Sequence, residues 1–205
     1  MSYYIDTDGI KQFDTLLQNL GAAVEPAAAD ALNDGAVLAR KLGSQEIRRR
    51  INFKAPYLDG GRLVVRRRAK PNDLEAVVTG RDRPTSLARF SQGTPTFGRQ
   101  RNAPRVRVRA TGASRPIRGG FYMRLRRGNS IIRDENANIG LAVRLKEGER
   151  IKNKNEMVPI GGDLYLLYGP SVGQVYRTVA EKTTDEVSAQ VAQRFAHHLG
   201  RRIDG

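Results

Sequence analysis

His197 and His198 are the chain's two histidines. On a helix, adjacent residues point about 100° apart, so this pair cannot chelate one metal together. A histidine base would also need a nucleophile within reach, and the spacing offers none. Asp134-Glu135 is the clearest acidic pair in the middle of the chain. Neighbouring carboxylates in a turn bind Mg²⁺ weakly, but more commonly they cap a loop or pair with Arg. Metal-assisted hydrolysis needs several converging carboxylates, and this region is poor in acid. Gly60-Gly61, Gly119-Gly120 and Gly161-Gly162 read as turns or bulges, because none lies in a phosphate-cradling loop or a dinucleotide fingerprint. With no Cys there is no thiol nucleophile, disulfide or Cys-based zinc site. The sequence therefore predicts no enzyme, no catalytic residue, no metal and no cofactor.

The chemistry that stands out is cationic. The 205 residues carry 36 Lys and Arg against 21 Asp and Glu, a formal charge of +15. From Arg48 to Arg127 there are 22 basic and 4 acidic side chains, so the ends are mildly acidic and the middle strongly basic. Arg outnumbers Lys, and a guanidinium grips carboxylates and phosphates with two parallel bonds. In Arg105-Val106-Arg107-Val108-Arg109, alternation on a strand puts Arg105, Arg107 and Arg109 on one face. Their roots would lie roughly 6–7 Å apart, close to the phosphate spacing of a nucleic-acid strand. Three readings of that face stay open: contact with phosphates, docking of an acidic protein surface, or plain solvation. Arg66, Arg67 and Arg68 form a second such cluster, and Arg124, Arg126 and Arg127 a third. Sequence-specific readout is not expected, since no helix-turn-helix, zinc-finger or RNA-recognition signature occurs.

These residues need a scaffold, and the pattern predicts an α+β one. A central, mostly antiparallel sheet is expected to pack against a long N-terminal helix and C-terminal helices, as a single domain over 1–205. Residues 1–54 read as helical. A first helix carries Ile10, Phe13, Leu16, Leu17 and Leu20 and stops at Gly21; a second starts at Pro26 and runs to about Ile51. Ala28, Leu32, Leu38, Ala39, Leu42 and Ile47 give the second helix its apolar side. Residues 55–170 form the basic β-rich part, with a turn-rich break at 55–61. Strands are expected at Leu63–Arg68, Leu74–Thr79, Arg105–Ala110, Phe121–Leu125, Ile139–Leu145 and Leu164–Tyr168, a loop at 151–156, and a loose segment over 81–120. Residues 171–205 return to helix, with capping pairs Ser171/Gln174 and Thr183/Glu186 and a stripe of Val187, Val191, Phe195 and Leu199. Only 39% of residues are hydrophobic and 6% aromatic, without Trp. So lean a core suggests that partners order part of the chain. No secretory signal or membrane span is apparent, and no membrane partner is expected.

Four stretches carry a family resemblance. They are the Ala-rich helix ending in Arg48-Arg49-Arg50; Val77-Val78-Thr79-Gly80-Arg81 followed by Pro84-Thr85-Ser86-Leu87-Ala88-Arg89-Phe90; Gly119-Gly120-Phe121-Tyr122-Met123 before Gly128-Asn129; and Leu167-Tyr168-Gly169-Pro170-Ser171-Val172. In their order the chain resembles the phage minor tail protein Z family, the tail-completion proteins of long-tailed bacteriophages. The stretch 134–155 is longer than the family usually has. The resemblance implies a structural virion protein, made in the host cytoplasm and placed in the tail or neck where tail meets head. It implies partners among other tail and neck proteins (terminator, connector or tail-tube subunits), copies of itself, and non-specific contact with phage DNA. It supplies no catalytic set to carry over. The competing reading is a basic nucleic-acid-binding protein of the RNP type that acts outside a virion.

Overall fold

A computed structural model describes residues 7–97, 102–125, 138–145 and 156–203. The fold is α+β, with helices at both ends of the chain and antiparallel sheets between them. Helix α1 runs unbroken from Thr7 to Arg50, a length of 44 residues, with Pro26 inside it. The expected stop at Gly21 and restart at Pro26 are therefore corrected to one helix. Proline forfeits one backbone bond inside a helix, at about 3 kcal/mol. The Ala-rich flanks offset this through high helix propensity, and Ala23, Ala27 and Ala31 bury one stripe straight through the site. Of the expected apolar side Ile47 is fully buried, but the rest is not. Ala28, Leu32, Leu38, Ala39 and Leu42 stay half-exposed, while Ala23, Ala27, Ala31 and Gly35 recur every four residues and are buried. The side chains of Ile10, Phe13, Leu16, Leu17 and Leu20 lie outside the described residues.

The chain divides into two compact units, residues 1–43, 64–79 and 180–205 in one and 44–63 and 80–179 in the other. In the first unit, the N-terminal part of α1 runs antiparallel to α4 (Thr184–Ile203). Asp30 pairs with Arg202 at 2.6 Å, and Asp34 with His198 at 3.0 Å. Gly35 lies against Val191 so closely that an added Cβ would collide with the Val191 Cγ2. Small residues on α1 thus let a second helix approach. Strands β1 (Leu63–Arg67) and β2 (Val77–Gly80) pair as a hairpin. Its turn closes by reciprocal backbone bonds of 2.9 Å between Lys70 and Asp73. β2 starts at Val77 and not at Leu74, which is exposed.

The stripe Val187, Val191, Phe195 and Leu199 is the more covered side of α4, yet no residue of that helix is fully buried. The capping pair at Thr183 does not form. The Thr183 hydroxyl instead donates to the Ala180 carbonyl at 2.9 Å, within a 3₁₀ turn (Glu181–Thr183) that leads into α4.

The second unit is built on a sheet. Its strands are β3 (Thr85–Ser86), β6 (Gly120–Leu125), β7 (Asn138–Arg144), β8 (Met157–Gly161) and β9 (Leu164–Gly169), in the order β3-β9-β7-β6, with β8 also on β9. All these pairings are antiparallel. β7 lies between β6 and β9, and Leu141, Ala142 and Val143 are all buried, as an interior strand covered on both faces requires. β8 is a strand that the sequence pattern did not indicate. The expected loop at 151–156 lies, apart from Glu156, outside the described residues.

A short helix α2 (Ala55–Asp59), with Pro56 in its first turn, replaces the expected turn-rich break. The 3₁₀ turn Leu87–Phe90 seats Phe90 in the core at 1% exposure, a burial that contributes about 2–3 kcal/mol. Phe53 stacks on Tyr57 with ring centroids 5.4 Å apart and meets Phe90 at 5.2 Å. Helix α3 (Val172–Ala180) starts where the Gln174 N–H donates to the Ser171 hydroxyl at 3.0 Å, the expected cap.

Over its described residues the segment 81–120 contains short elements. It holds β3, the 3₁₀ turn, and a small sheet of β4 (Arg105–Val106) with β5 (Arg115–Pro116). The expected strand Arg105–Ala110 shortens to β4 because the chain changes partners. Arg105 and Arg107 bond to the backbone of Gln92 and Phe90, whereas Val108 and Ala110 bond to that of Asn52 and Arg50. No single ladder continues through all six residues.

Candidate partner-binding surface

Residues 81–125 contain eleven Arg, no Lys and one acid, Asp82. That acid is already engaged. Arg177 donates to its Oδ1 at 2.7 Å, and the same oxygen lies against Gly173 in the first turn of α3, where a negative charge suits the helix dipole. The backbone geometry holds it there. Gly80 and Gly173 touch, so that a Cβ on Gly80 would lie 2.7 Å from the Gly173 Cα, and the Gly173 N–H donates to the Arg81 carbonyl at 2.9 Å. The segment itself holds no further carboxylate to neutralise its guanidinium groups.

The expected three-Arg face is reduced to two. Arg105 and Arg109 are exposed, and Arg105 leans on the next strand by donating to the Ser114 hydroxyl at 3.1 Å and carbonyl at 2.9 Å. Arg107 is half-buried, and its Nε is enclosed without a hydrogen-bond partner. It therefore belongs partly to the packing of this segment. Arg124 projects from β6, with its guanidinium carbon 4.7 Å from the ring centre of the exposed Phe97. Arg126 and Arg127 lie outside the described residues.

Arg66, Arg67 and Arg68 are exposed and belong to the first unit. Strand alternation separates Arg67 from the other two. Arg67 is neutralised within its own hairpin by Asp73 and by Glu75, the latter at 2.7 Å. The Asp73 hydrogen bond, then the charges of Asp73 and Glu75, hold its guanidinium above the ordinary Arg range. Arg66 and Arg68 carry the charge this cluster can offer a partner.

A second feature was not legible in the sequence. A cleft of about 350 Å³ opens in the sheet-bearing unit, lined among others by Asn52, Lys54, Tyr57, Arg89, Ser91 and Ile139. Its walls come from three separate segments, 52–57, 88–95 and residue 139, so no local spacing announces it. The guanidinium carbons of Arg62 and Arg89 lie 4.4 and 4.7 Å from the centre of the Tyr57 ring. Among the described residues, no acidic side chain lines the cleft.

Among the described residues, no group of three or more His, Asp or Glu side chains could hold a metal ion. Asp134-Glu135 lies outside the described residues. His198 is engaged by Asp34, and its ring meets that of His197 edge-on at 5.6 Å. No described helix is long and apolar enough to cross a membrane.

No family model matches the chain, and neither a curated protein nor a solved structure matches it.

Proposed function

We propose that this chain is a structural, non-enzymatic virion protein of a long-tailed phage, acting in the tail or neck where the tail is completed and joined to the head. The observation that carries the binding half of this reading is the Arg-rich segment 81–125, whose one acid is already held by Arg177. A segment so unbalanced in charge is suited to an acidic macromolecular partner, and guanidinium forks give such contacts direction as well as attraction. Arg105, Arg109 and Arg124, with Arg66 and Arg68 on the other unit, are the proposed contact residues.

The phage half rests on the resemblance. It gains support from the fact that parts of two of the four resembling stretches meet in one region. Thr85 and Ser86 pair with Gly169 and Tyr168, and Arg81 accepts from Gly173, the residue after Val172. The neighbours proposed are terminator, connector or tail-tube subunits and further copies of this chain, with phage DNA touched through its backbone only.

Assembly is the test. Gold-labelled protein is expected to attach to the head-proximal end of purified phage tails, and reversing charge at Arg105 and Arg109 is expected to abolish attachment. Absence of attachment, together with duplex-DNA affinity that falls steeply with salt, would replace this reading by that of a basic nucleic-acid-binding protein.

A further inference from the structure

The cleft of the sheet-bearing unit combines features that define a ligand. Lys54 and Arg89 stand exposed in its lining. Two cations in one concavity whose described lining holds no carboxylate repel each other, and an incoming anion relieves that repulsion. The Arg89 guanidinium is already positioned against Tyr57, 4.7 Å from the ring centre, so less side-chain freedom is lost when it grips a ligand. Polar groups stand beside the cations. Asn52 donates its side-chain N–H to the Arg107 carbonyl at 3.0 Å, and Ser91 accepts from the Tyr122 hydroxyl at 2.8 Å. The remaining wall, with Ala88, Pro95 and Ile139, is apolar.

The aromatic groups decide between classes of anion. A nucleotide segment would be expected to stack a base on an open ring face. Phe53 is 6% exposed, and the Tyr57 ring is already occupied by Phe53 and by two guanidinium groups. No free face is offered to a base, whereas the aliphatic wall accepts a branched or straight side chain.

We infer that this cleft is a docking site for an acidic peptide segment of a partner protein, with a carboxylate held between Lys54 and Arg89 and a neighbouring aliphatic side chain against Ala88, Pro95 and Ile139. The inference stands on the cleft alone and does not require the tail or neck reading.

The experiment titrates full-length protein into a fluorescein-labelled peptide of alternating Glu and Leu, read by fluorescence anisotropy. Saturable binding is expected. Arg89→Gln and Lys54→Gln should each weaken it by about tenfold, the effect of losing one charge-assisted bond. Arg118→Gln removes an exposed charge that does not line the cleft and should change affinity less than twofold. Unaltered melting temperatures would show that the three variants remain folded. Equal losses in all three would overturn the proposal in favour of general attraction to a basic surface. Displacement of the peptide by a single-stranded oligonucleotide at lower concentration than by unlabelled peptide would overturn it in favour of a nucleic-acid ligand. Absence of saturable binding would remove the site. None of these outcomes bears on attachment to phage tails, so the two readings fail separately.

Discussion

Asn33 and Ala69 are joined through both ends of one side-chain amide: the Ala69 N–H donates to the Asn33 Oδ1 at 2.9 Å, and the Asn33 Nδ2 donates to the Ala69 carbonyl at 3.0 Å. The side chain acts as a one-residue strand partner, holding the end of the β1 segment to α1. Ala69 is 5% exposed, so water cannot readily replace either bond. Asn33→Ala is expected to cost about 2–3 kcal/mol, the penalty of leaving both backbone groups without partners. Urea denaturation measures the loss, and faster hydrogen exchange at the Ala69 amide would locate it. Unchanged exchange there would mean that the pairing does not hold the segment.

Gly35 is required by proximity. An added methyl would collide with the Cγ2 of Val191, and a β-branched side chain in a helix has little rotameric freedom with which to yield. Gly35→Ala should gain about 1 kcal/mol in helix propensity yet lose about 1–3 kcal/mol to overpacking. The coupling shows in a double-mutant cycle with Val191→Ala, which should return an interaction energy of at least about 1 kcal/mol. Additive effects would mean that α1 and α4 do not meet at these two residues.

Burial raises the pKa of the Tyr176 hydroxyl in α3 above its ordinary value. The unfolded chain releases that proton near pH 10, while the folded chain still holds it. The unfolded state therefore binds fewer protons in that window, and stability falls as pH rises. The contribution is fully present below about pH 10 and is lost as pH rises through the folded value. Tyr176→Phe should flatten part of the alkaline decline in unfolding free energy, measured side by side with the parent from about pH 9 to 11. Parallel curves would show that this hydroxyl is solvated.

The elements visible in the sequence were those set by local period. The strands at 121–125, 139–145 and 164–168 were each found within a residue or so at either end, because their apolar residues serve the sheet they belong to. The Ser171 cap was visible because it is made by neighbours in sequence. What escaped depended on distant partners. Nothing local shows that Ala23, Ala27, Ala31 and Gly35 are buried in preference to the Leu residues beside them; an approaching helix selects small side chains. Nor does alternation in 105–109 show that the backbone changes partners after Arg107. The cleft is the extreme case, since Lys54, Arg89 and Ile139 come together only through the tertiary fold.

Phe195 measures one such tertiary effect. As a buried aromatic in an apolar stripe it would lose about 3–5 kcal/mol on truncation to Ala. It is instead half-exposed on a helix with no fully buried residue. The expected loss from Phe195→Ala is accordingly about 1–2 kcal/mol, from partial removal of its area from water. A loss above about 3 kcal/mol would mean that α4 is more deeply packed than its exposure indicates.

The basic segment 105–109 separates charge that serves packing from charge that can serve a partner. Alternation alone puts Arg105, Arg107 and Arg109 on one exposed face, so reversing all three should impair assembly and leave the fold intact. The observed burial divides them. Arg105 and Arg109 are exposed, while Arg107 is half-buried with its Nε enclosed and unpaired. Glu at 105 or 109 should leave thermal unfolding nearly unchanged, because exposed substitutions usually fall within about 0.5 kcal/mol. Arg107→Glu would bring a carboxylate into partial burial, and should cost about 1–3 kcal/mol. Arg107→Met, which keeps much of the aliphatic stem and removes the unpaired Nε, should be close to neutral. Calorimetry of the four variants distinguishes the cases. Equal melting temperatures for Arg107→Glu and Arg109→Glu would restore the three-Arg face, whereas a low-melting Arg107→Glu beside a parent-like Arg107→Met would confine the partner-facing charge of this segment to Arg105 and Arg109.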